Sequence, residues 1–292
     1  MNEIMPLVYV ILLNYKNYQD TIECIKSLSS NFYLNFKIIV LDNNSKNGSE
    51  EHIQEFIEKY AMKNINFIQT GANLGFAGGV NVGIRYALND VNMKYVWILN
   101  NDTEVDRFAL YELVNKMQND KSIGICGSKL VDFYNHKTLQ GYGGKYHNKL
   151  GYATIVMNIN DISSMNYTIG ASMLVSKEFL NKVGLMCEDY FLYYEEFDWA
   201  MRGKTQGYRI DCAIDSIVYH KEGASIGSSA SISRKSLLSD YYIQKNKLRI
   251  TKKFYPQNIM TVRIAMCIGV IRRLLHGEFA KALQQFKIIF QG

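Results

Sequence analysis

The fold is decided by the stretch Val96-Trp97-Ile98-Leu99-Asn100-Asn101-Asp102-Thr103-Glu104. Its first four residues are apolar, which predicts a strand buried in a sheet, and the residues that follow are polar. A carboxylate at the carboxyl end of a strand lies where open α/β sheets bind ligands. Asp102 and the two amides before it could therefore hold a hard divalent cation together with a phosphate. The alternative is a polar turn in which Asp102 or Thr103 caps the next helix. These residues alone leave both possibilities open.

Two earlier strands are predicted to end in the same way. The apolar run 7–13 stops at Asn14 and Tyr15, and the run 37–41 stops at Asp42. Helical patterns follow both runs and a third strand is predicted at 65–69, so that the first half of the chain alternates strand and helix. Right-handed crossovers bring the carboxyl ends of such strands to one rim of the sheet, which predicts a nucleotide site there.

A glycine-rich segment precedes the opening stretch. Residues 73–83 read Asn-Leu-Gly-Phe-Ala-Gly-Gly-Val-Asn-Val-Gly, with apolar residues at helical spacing. Such an entry to a helix lets the backbone approach a ligand closely. The chain contains neither G-x-G-x-x-G here nor G-x-x-x-x-G-K-[ST] anywhere, which argues against a dinucleotide fingerprint and a P-loop.

A second polar cluster occupies residues 189–202. The apolar residues at 190, 194, 197 and 201 recur at helical spacing and predict one buried helix face. Asp198 and Arg202 are four residues apart and are expected to pair as a structural ion pair. Glu195 and Glu196 are adjacent carboxylates among aromatic residues. Burial and mutual repulsion would raise one pKa toward the value that a general base needs, whereas the alternative is a solvated helix start.

The second half of the chain offers fewer signals. Residues 124–151 predict a strand and a glycine-rich connection, residues 170–175 a strand, and 176–184 a short helix that ends at Gly184. Two short strand-like runs within 210–219 lead to His220. A single histidine is more often structural than a metal ligand, so that spacing alone favours the structural role for His220.

Charge and cysteine content bound the class of protein. The net charge of +6 is uneven: from Arg234 onward 12 Lys and Arg residues face two acids, which leaves the first 233 residues mildly acidic. This basic C-terminal region favours an anionic partner surface.

The five cysteines form no C-x-x-C pair, which argues against a disulfide framework or a zinc site and suits a reducing compartment. No signal peptide and no membrane span are predicted. The apolar run 264–271 between arginines could instead lie in a membrane interface, or pack on the domain or on a second subunit.

Taken together, these stretches resemble the inverting family 2 glycosyltransferases of the GT-A fold, in particular their rhamnosyltransferase-like branch. The resemblance covers roughly residues 7–227 and rests on the order of its motifs. They are Leu13-Asn14-Tyr15, Leu41-Asp42-Asn43-Asn44-Ser45, residues 73–81, Leu99-Asn100-Asn101-Asp102, Gly170-Ala171-Ser172-Met173, Tyr194-Glu195-Glu196-Phe197-Asp198 and His220-Lys221-Glu222-Gly223-Ala224-Ser225. The implied fold is a Rossmann-like, mostly parallel sheet flanked by helices. The expected domains are 1–233, with a nucleotide-binding half at 1–105 and an acceptor half at 106–233, and a basic helical extension at 234–292.

The resemblance also implies residue roles. Asp102 would be the acid of the metal-binding motif, which appears here as Asn-Asn-Asp, and His220 would complete the shell of Mg²⁺ or Mn²⁺. With one carboxylate in the motif, metal binding without nucleotide is expected to be weak. Glu196 occupies the position of the family's catalytic aspartate and Glu195 precedes it, so that either could be the base. Asp198 matches the acid that follows and is expected with them at the catalytic centre. The donor cleft is expected to involve Asn14, Tyr15, Asp42, Asn44, Asn73, Gly75, Asn81, Asn100 and Asn101.

The activity implied is a single, inverting displacement on a nucleotide-sugar. dTDP-L-rhamnose is the expected donor and a UDP-sugar the alternative. The expected acceptor is a saccharide or lipid-linked saccharide of bacterial cell-envelope polysaccharide synthesis. The expected location is the cytoplasm, at the inner face of the membrane, with a homodimer possible and no nucleic-acid partner. The other classes that the sequence leaves open are a sugar nucleotidyltransferase and a non-catalytic saccharide-binding protein.

Overall fold

Strands and helices alternate through the first half of the chain, as the apolar runs predict. The computed structural model describes residues 5–221 and 236–291. The strands are β1 (Leu7–Asn14), β2 (Phe36–Asp42), β3 (Ile65–Gln69), β4 (Met93–Asn100), β5 (Thr103–Val105), β6 (Ile123–Asp132), β7 (Leu139–Gly141), β8 (Gly143–His147), β9 (Tyr152–Val156), β10 (Ser172–Ser176) and β11 (Arg209–His220). The helices are α1 (Tyr18–Ser29), α2 (Ser49–Lys59), α3 (Gly75–Leu88), α4 (Ala109–Asn119), α5 (Lys177–Val183), α6 (Glu195–Thr205), α7 (Leu237–Phe254), α8 (Ile259–Leu275) and α9 (Phe279–Gln291).

Nine strands form one sheet, in the order β3-β2-β1-β4-β10-β6-β11-β5, with β7 beside β6. β1 pairs in parallel with both β2 and β4, so that Asn14 lies opposite Asp42, and Leu13 opposite Asn100. β10 is antiparallel to both of its neighbours, which makes the sheet mixed. The expected α/β class is confirmed, and the predicted rim of polar strand ends exists.

The central strands are buried on both faces, which explains why their sequences are continuously apolar. Alternate residues enter two different cores: Ile11 and Ile98 lie in one, and Val10 and Trp97 in the other. The indole of Trp97 is fully buried and donates a hydrogen bond to the Ser172 hydroxyl, 2.9 Å away. These cores hold the strand ends rigidly beneath the rim.

The structure decides one open alternative and corrects two local expectations. Asp102 and Thr103 do not cap a helix, because Thr103 begins β5 and α4 starts only at Ala109. The glycine-rich connection contains strands β7 and β8, and β8 pairs with β9 in a separate two-stranded sheet. The two runs before His220 form one strand, β11, whose register shifts between Ala213 and Ile217.

The predicted helix face around residue 194 is also shorter than expected. α6 begins at Glu195, because Phe191, Tyr193 and Tyr194 all have positive φ, between 61° and 75°. Such backbone is strained for residues with a side chain and recurs at functional sites. Tyr190 therefore lies in a separate 3-10 turn instead of on the helix.

The helices of the C-terminal region differ in what they contact. Helix α7 packs into the main core through Ile250, and Tyr146 of β8 stacks with Tyr255 just after it. α8 and α9 form a separate small cluster that includes Val262 and Met266. The domain boundary at 233/234 stays a prediction. Within residues 5–221 and 236–291, no helix combines the length and hydrophobicity needed to cross a membrane.

Candidate active site

A cavity of about 210 Å³ lies at the carboxyl ends of β1 and β4. Its lining residues are Leu13, Tyr15, Asn43, Asn73, Gly75, Phe76, Asn100, Asn101, Asp102, Phe191, Leu192, His220 and Leu238. A larger cavity of about 540 Å³ lies at the opposite end of the sheet, beside Tyr95 and Ile123 at the amino ends of their strands. Only the smaller cavity is at the rim where an α/β sheet binds ligands, and it brings Asp102 and His220 together.

Seven of the expected site residues line this cavity: Tyr15, Asn73, Gly75, Asn100, Asn101, Asp102 and His220. Seven do not: Asn14, Asp42, Asn44, Asn81, Glu195, Glu196 and Asp198. Sequence reasoning missed the apolar wall of Phe191, Leu192 and Leu238, because these residues come from distant segments. Leu13, Asn43 and Phe76 were missed as well, although each lies within one of the motifs that indicate the site.

The polar residues just below the rim are hydrogen-bonded to one another. Asp42 is buried and accepts hydrogen bonds from the side chains of Asn14, at 2.7 Å, and Gln69, at 3.0 Å. It also accepts from the backbone N–H and the hydroxyl of Ser45. Asn14 in turn accepts from Thr21 at 2.9 Å. In this structure Asn14 and Asp42 therefore fix the strand ends, and the expected contact with base and ribose stays a prediction.

Two of the expected donor contacts are displaced from the cavity. Asn44 has φ 59° and its backbone N–H donates to Gln69 on the outer edge of the rim. Asn81 is fully buried in α3, where its amide accepts from the N–H of Met186 and donates to the Met186 carbonyl and to Glu188. Its amide is already paired, so Asn81 joins α3 to the segment before α6 instead of shaping the donor cleft.

Asn43 and Gly75 join the two loops at the cavity wall. The Asn43 amide donates to the Gly75 carbonyl at 3.0 Å and to the Asn73 side chain at 3.1 Å. Gly75 has φ +71°, and a Cβ there would lie 2.3 Å from the Phe191 carbonyl oxygen. That oxygen accepts a hydrogen bond from the N–H of Phe76 at 2.7 Å. Glycine is therefore required at 75 for the loop before α6 to reach the sheet.

Asp102 and His220 form the polar centre of the cavity. The His220 Nε2 lies 3.3 Å from the Asp102 Oδ1, and both residues are buried. Gln140 donates from Nε2 to the His220 carbonyl at 2.9 Å, which leaves its Oε1 to face His220 Nδ1 at 3.0 Å. Nδ1 must therefore carry the proton in the neutral ring, and Nε2 presents a lone pair to the carboxylate.

Two acceptor atoms that face each other fit a cation between them. A histidine ligand whose other nitrogen donates to a fixed acceptor is the usual arrangement at metal sites, and here Gln140 provides that acceptor. Among the described residues, no group of three His, Cys, Asp or Glu side chains is close enough to bind a metal. Within them the chain thus offers Asp102 and His220, and oxygens of a bound diphosphate would have to complete the shell.

Glu195 and Glu196 form the start of α6, and they follow Phe191 and Leu192 of the cavity wall closely in the chain. Glu195 is buried, and its Oε2 has no hydrogen-bond partner in the part of the chain that the structure describes. Burial, and then the charge of Glu196, raise the pKa of Glu195 well above its usual value. Burial also raises the pKa of Glu196, to about 7, although backbone N–H groups at the helix start partly offset the effect. Both carboxyls are therefore harder to ionise than an exposed glutamate.

Helix α7 holds the strained loop that precedes these carboxyls. The fully buried amide of Asn246 donates toward three backbone oxygens of this loop, those of Tyr190, Leu192 and Tyr193, at 2.9, 2.8 and 3.0 Å. Tyr242, one turn earlier on α7, stacks on Phe191 with ring centroids 4.8 Å apart. Nothing in the local sequence at 190–194 indicates this support, because Asn246 is more than fifty residues away.

Asp198 is part of the same support, which corrects its expected place at the catalytic centre. It is fully buried and pairs with Arg202, at 2.6 Å, and with Lys253 of α7. It also accepts from the Tyr190 hydroxyl at 2.9 Å. Because both carboxylate oxygens of this fully buried side chain are already occupied by these partners, we assign Asp198 to positioning α6. The expected Asp198–Arg202 pair is confirmed.

Comparison with known proteins gives matches across the whole chain. The model of the family described as "Glycosyl transferase family 2" matches residues 9–184. A low-salt glycan biosynthesis hexosyltransferase, Agl10 of Haloferax volcanii, is 25% identical over 228 residues, or 73% of this chain and 66% of that protein. A dTDP-rhamnosyl transferase, RfbF of Shigella flexneri, is 24% identical over 294 residues, covering 96% of this chain and 90% of that protein.

Solved structures share the fold. A mannosyltransferase from Pyrobaculum calidifontis, in complex with GDP-Man and Mn²⁺, superposes with a TM-score of 0.62 at 15% identity, over 98% of this chain and 86% of that one. The structure of GalNAc-T7 with UDP, GalNAc and Mn²⁺ gives a TM-score of 0.68 at 14% identity, over 98% of this chain and 55% of that one. The GT-A architecture expected from the motifs is confirmed.

Proposed function

The chain belongs to the family 2 glycosyltransferases, and from that premise we propose that it transfers a sugar from a nucleotide-sugar donor to a saccharide acceptor with inversion. One observation carries the proposal. The cavity at the sheet rim contains a two-residue cation site, Asp102 and His220, and its wall includes Phe191 and Leu192. These two wall residues precede the carboxyl pair that begins α6 by only a few positions. The diphosphate of the donor would bind at the cation site, and the acceptor hydroxyl would lie near the carboxyl pair.

On the donor side, the residues available for binding are those of the rim. Asn43, Asn73 and Gly75 hold the loop that closes one wall, and Tyr15 offers an aromatic ring to a base or sugar. Asn100 presents its amide beside His220, with Nδ2 3.4 Å from Nε2. Asp102 and His220 would hold Mg²⁺ or Mn²⁺. A bound divalent cation supplies positive charge against the diphosphate that leaves.

On the acceptor side, we assign the base to Glu196 and keep Glu195 as a neutral acid. Glu196 is partly exposed and has a pKa near 7, so about half of it is ionised at neutral pH and able to accept a proton. Glu195 is more deeply buried and remains protonated. Glu196 would take the proton of the acceptor hydroxyl as that oxygen attacks the anomeric carbon and the bond to the nucleoside diphosphate breaks. One base is enough, because a single displacement forms no glycosyl-enzyme.

The experiment that tests the activity is release of nucleoside diphosphate from a panel of nucleotide-sugars, with Mg²⁺, with Mn²⁺ and with EDTA. We expect hydrolysis of one donor class, abolished by EDTA. Absence of turnover with every donor, but retained binding of saccharide, would favour the non-catalytic saccharide-binding protein. Formation of a nucleotide-sugar from a nucleoside triphosphate would favour the sugar nucleotidyltransferase.

For the donor we propose dTDP-L-rhamnose, with UDP-sugars as the alternative. Support comes from the motif pattern and from similarity to a dTDP-rhamnosyl transferase along almost the entire chain. Calorimetry with dTDP and UDP, each with Mn²⁺, tests the base directly. Tighter binding of dTDP is expected, and tighter binding of UDP would reject the rhamnosyl assignment while leaving the transferase assignment intact.

For the acceptor we propose a saccharide, free or lipid-linked, of a bacterial cell-envelope polysaccharide, used at the inner face of the cytoplasmic membrane. The support is the basic C-terminal region together with the apolar residues at the cavity edge, among them Leu238 on α7. Transfer of labelled sugar to a lipid extract, compared with transfer to water-soluble oligosaccharides, distinguishes the two acceptor forms.

A further inference from the structure

Helix α8 carries a row of apolar side chains on the face turned away from the protein. They recur at helical spacing and are between 46% and 80% exposed: Met260, Ile264, Ile268, Ile271, Leu274 and Leu275. The opposite face of α8 holds the buried residues Val262, Met266 and Arg273. Both faces of this helix are therefore largely apolar, although only one of them has a partner among the described residues.

Helix α9 repeats the pattern. Phe279, Leu283, Phe286 and Phe290 are spaced by four, three and four residues and are between 51% and 68% exposed. Its buried residues include Gln285, which donates to the Met266 carbonyl of α8 at 2.9 Å and lies against Gly269. The two helices pack together and leave a second apolar row outside. We refer to the exposed apolar residues of α8 and α9 as the outer apolar face.

The charges beside this face are basic. Arg272 and Lys287 are exposed on the flanks of their rows, and Arg263 lies half-buried on the other flank of α8. Glu278 is the single acid within residues 259–291, and it already pairs with Lys281 at 3.4 Å. Apolar rows with basic flanks match a layer that has acyl chains beneath anionic headgroups.

A second copy of the chain fits this face less well. Two outer apolar faces brought together would place the arginines and lysines of one copy beside those of the other, with no unpaired acid on α8 or α9 to compensate. We therefore propose that the outer apolar face docks in the plane of a membrane surface that carries anionic lipid. The contact is peripheral, since neither helix can cross a membrane.

The same region is joined to the catalytic half through α7. Arg273 of α8 pairs with Asp240 of α7 through two hydrogen bonds of 2.6 and 2.7 Å, and both residues are buried. On the same helix, Asn246 holds the loop before Glu195, and Leu238 lines the cavity. Docking would thus set the height of the cavity above the lipid. This consequence rests on the proposed function, whereas the docking itself does not.

Sedimentation with vesicles tests the docking on the full chain. We expect the protein to bind vesicles of phosphatidylcholine with about one-third phosphatidylglycerol, and to bind pure phosphatidylcholine at least about tenfold less tightly. The triple variant Ile264→Ser, Leu275→Ser, Phe290→Ser should lose at least about tenfold in vesicle affinity. A matched control with Leu34→Ser, Val91→Ser, Tyr134→Ser changes three side chains that are 77–80% exposed elsewhere and should bind as the wild type does.

The charge variant Arg272→Gln, Lys287→Gln should lose about fivefold in affinity per residue for the anionic vesicles only. Thermal unfolding of each variant checks that it folds. Equal binding by the triple variant and its control would overturn the proposal. A lipid-free dimer, seen by sedimentation velocity and abolished by the triple variant, would also overturn it, because the face would then bind a second copy. Donor hydrolysis is read separately, so failure of the docking leaves the proposed activity testable.

Discussion

The two sides of the cavity are held in place by different means. His220 ends β11 of the central sheet, and Asp102 lies in the turn between β4 and β5. Their neighbours in the rim, such as Asn14 and Asp42, are hydrogen-bonded to each other. Glu195 and Glu196 follow a loop with three strained residues, which is held by Asn246 of α7. Lys253 of α7 pairs with Asp198 of α6. The donor side is thus built into the sheet, whereas the base side depends on contacts across more than fifty residues of chain. Changes at the two sides should therefore have separable effects.

The largest expected effect is at the base. Glu196→Gln should lower the rate of donor hydrolysis by about 10²–10⁴-fold, because the side chain keeps its shape but cannot accept a proton. Donor affinity, measured by calorimetry, should stay within about threefold, since the donor side is untouched. Glu195→Gln is the matched control and should keep the rate within about tenfold. An equal loss in both variants would break the assignment of separate roles.

The next effect concerns the donor side. Gln140→Leu removes the acceptor that fixes the His220 ring and should weaken binding of Mn²⁺ in the presence of nucleoside diphosphate by about 10–100-fold. Without nucleotide, weak metal binding is expected already in the wild type. The pH dependence of turnover at saturating metal should not move. Tight, stoichiometric Mn²⁺ binding to the nucleotide-free protein would contradict a two-residue site.

A smaller loss is expected when the support from α7 is removed. Asn246→Ala removes the donor that holds three carbonyls of the strained loop together and should lower turnover about tenfold, with donor affinity nearly unchanged. Gln244→Ala alters another buried amide of α7, one that donates to Asp240 and not to the loop. It should lower stability without this selective loss of turnover. If both variants lose turnover in proportion to stability, Asn246 has no special positioning role.

The smallest effect is on stability. The pKa of Glu195 is higher in the folded protein than in the unfolded chain, so the native state binds more protons and stability falls as pH rises above about 4.5. Glu195→Gln removes this loss. We expect the variant to gain in Tm relative to the wild type by a few degrees, about 2–4 °C, between pH 5 and pH 8. A Tm difference that is constant across this range would contradict a raised pKa for Glu195.

The same contrast explains what could be predicted from the sequence. The apolar runs predicted β3 and the end of β4 at Asn100, since the period and length of such a run determine a strand locally. Asp102 and His220 came from the motif order, and the structure places them 3.3 Å apart. The start of α6 could not be predicted, because positive φ at Tyr194 is imposed by distant contacts that outweigh helical spacing. The role of Asn246 could not be predicted for the same reason. Asn81 was expected in the donor cleft, because in a sequence a buried structural amide cannot be distinguished from an amide that contacts a ligand.

The most direct test of this account is the pH dependence of kcat/KM for donor hydrolysis at saturating metal. The account predicts that turnover rises with pH through an acidic limb with a pKa of about 7, the value of Glu196, because the ionised form is the active base. Glu195→Gln should retain this limb, and Glu196→Gln should lose it. A limb at the ordinary carboxyl value near 4.5, or a limb abolished by Glu195→Gln and kept by Glu196→Gln, would contradict the account.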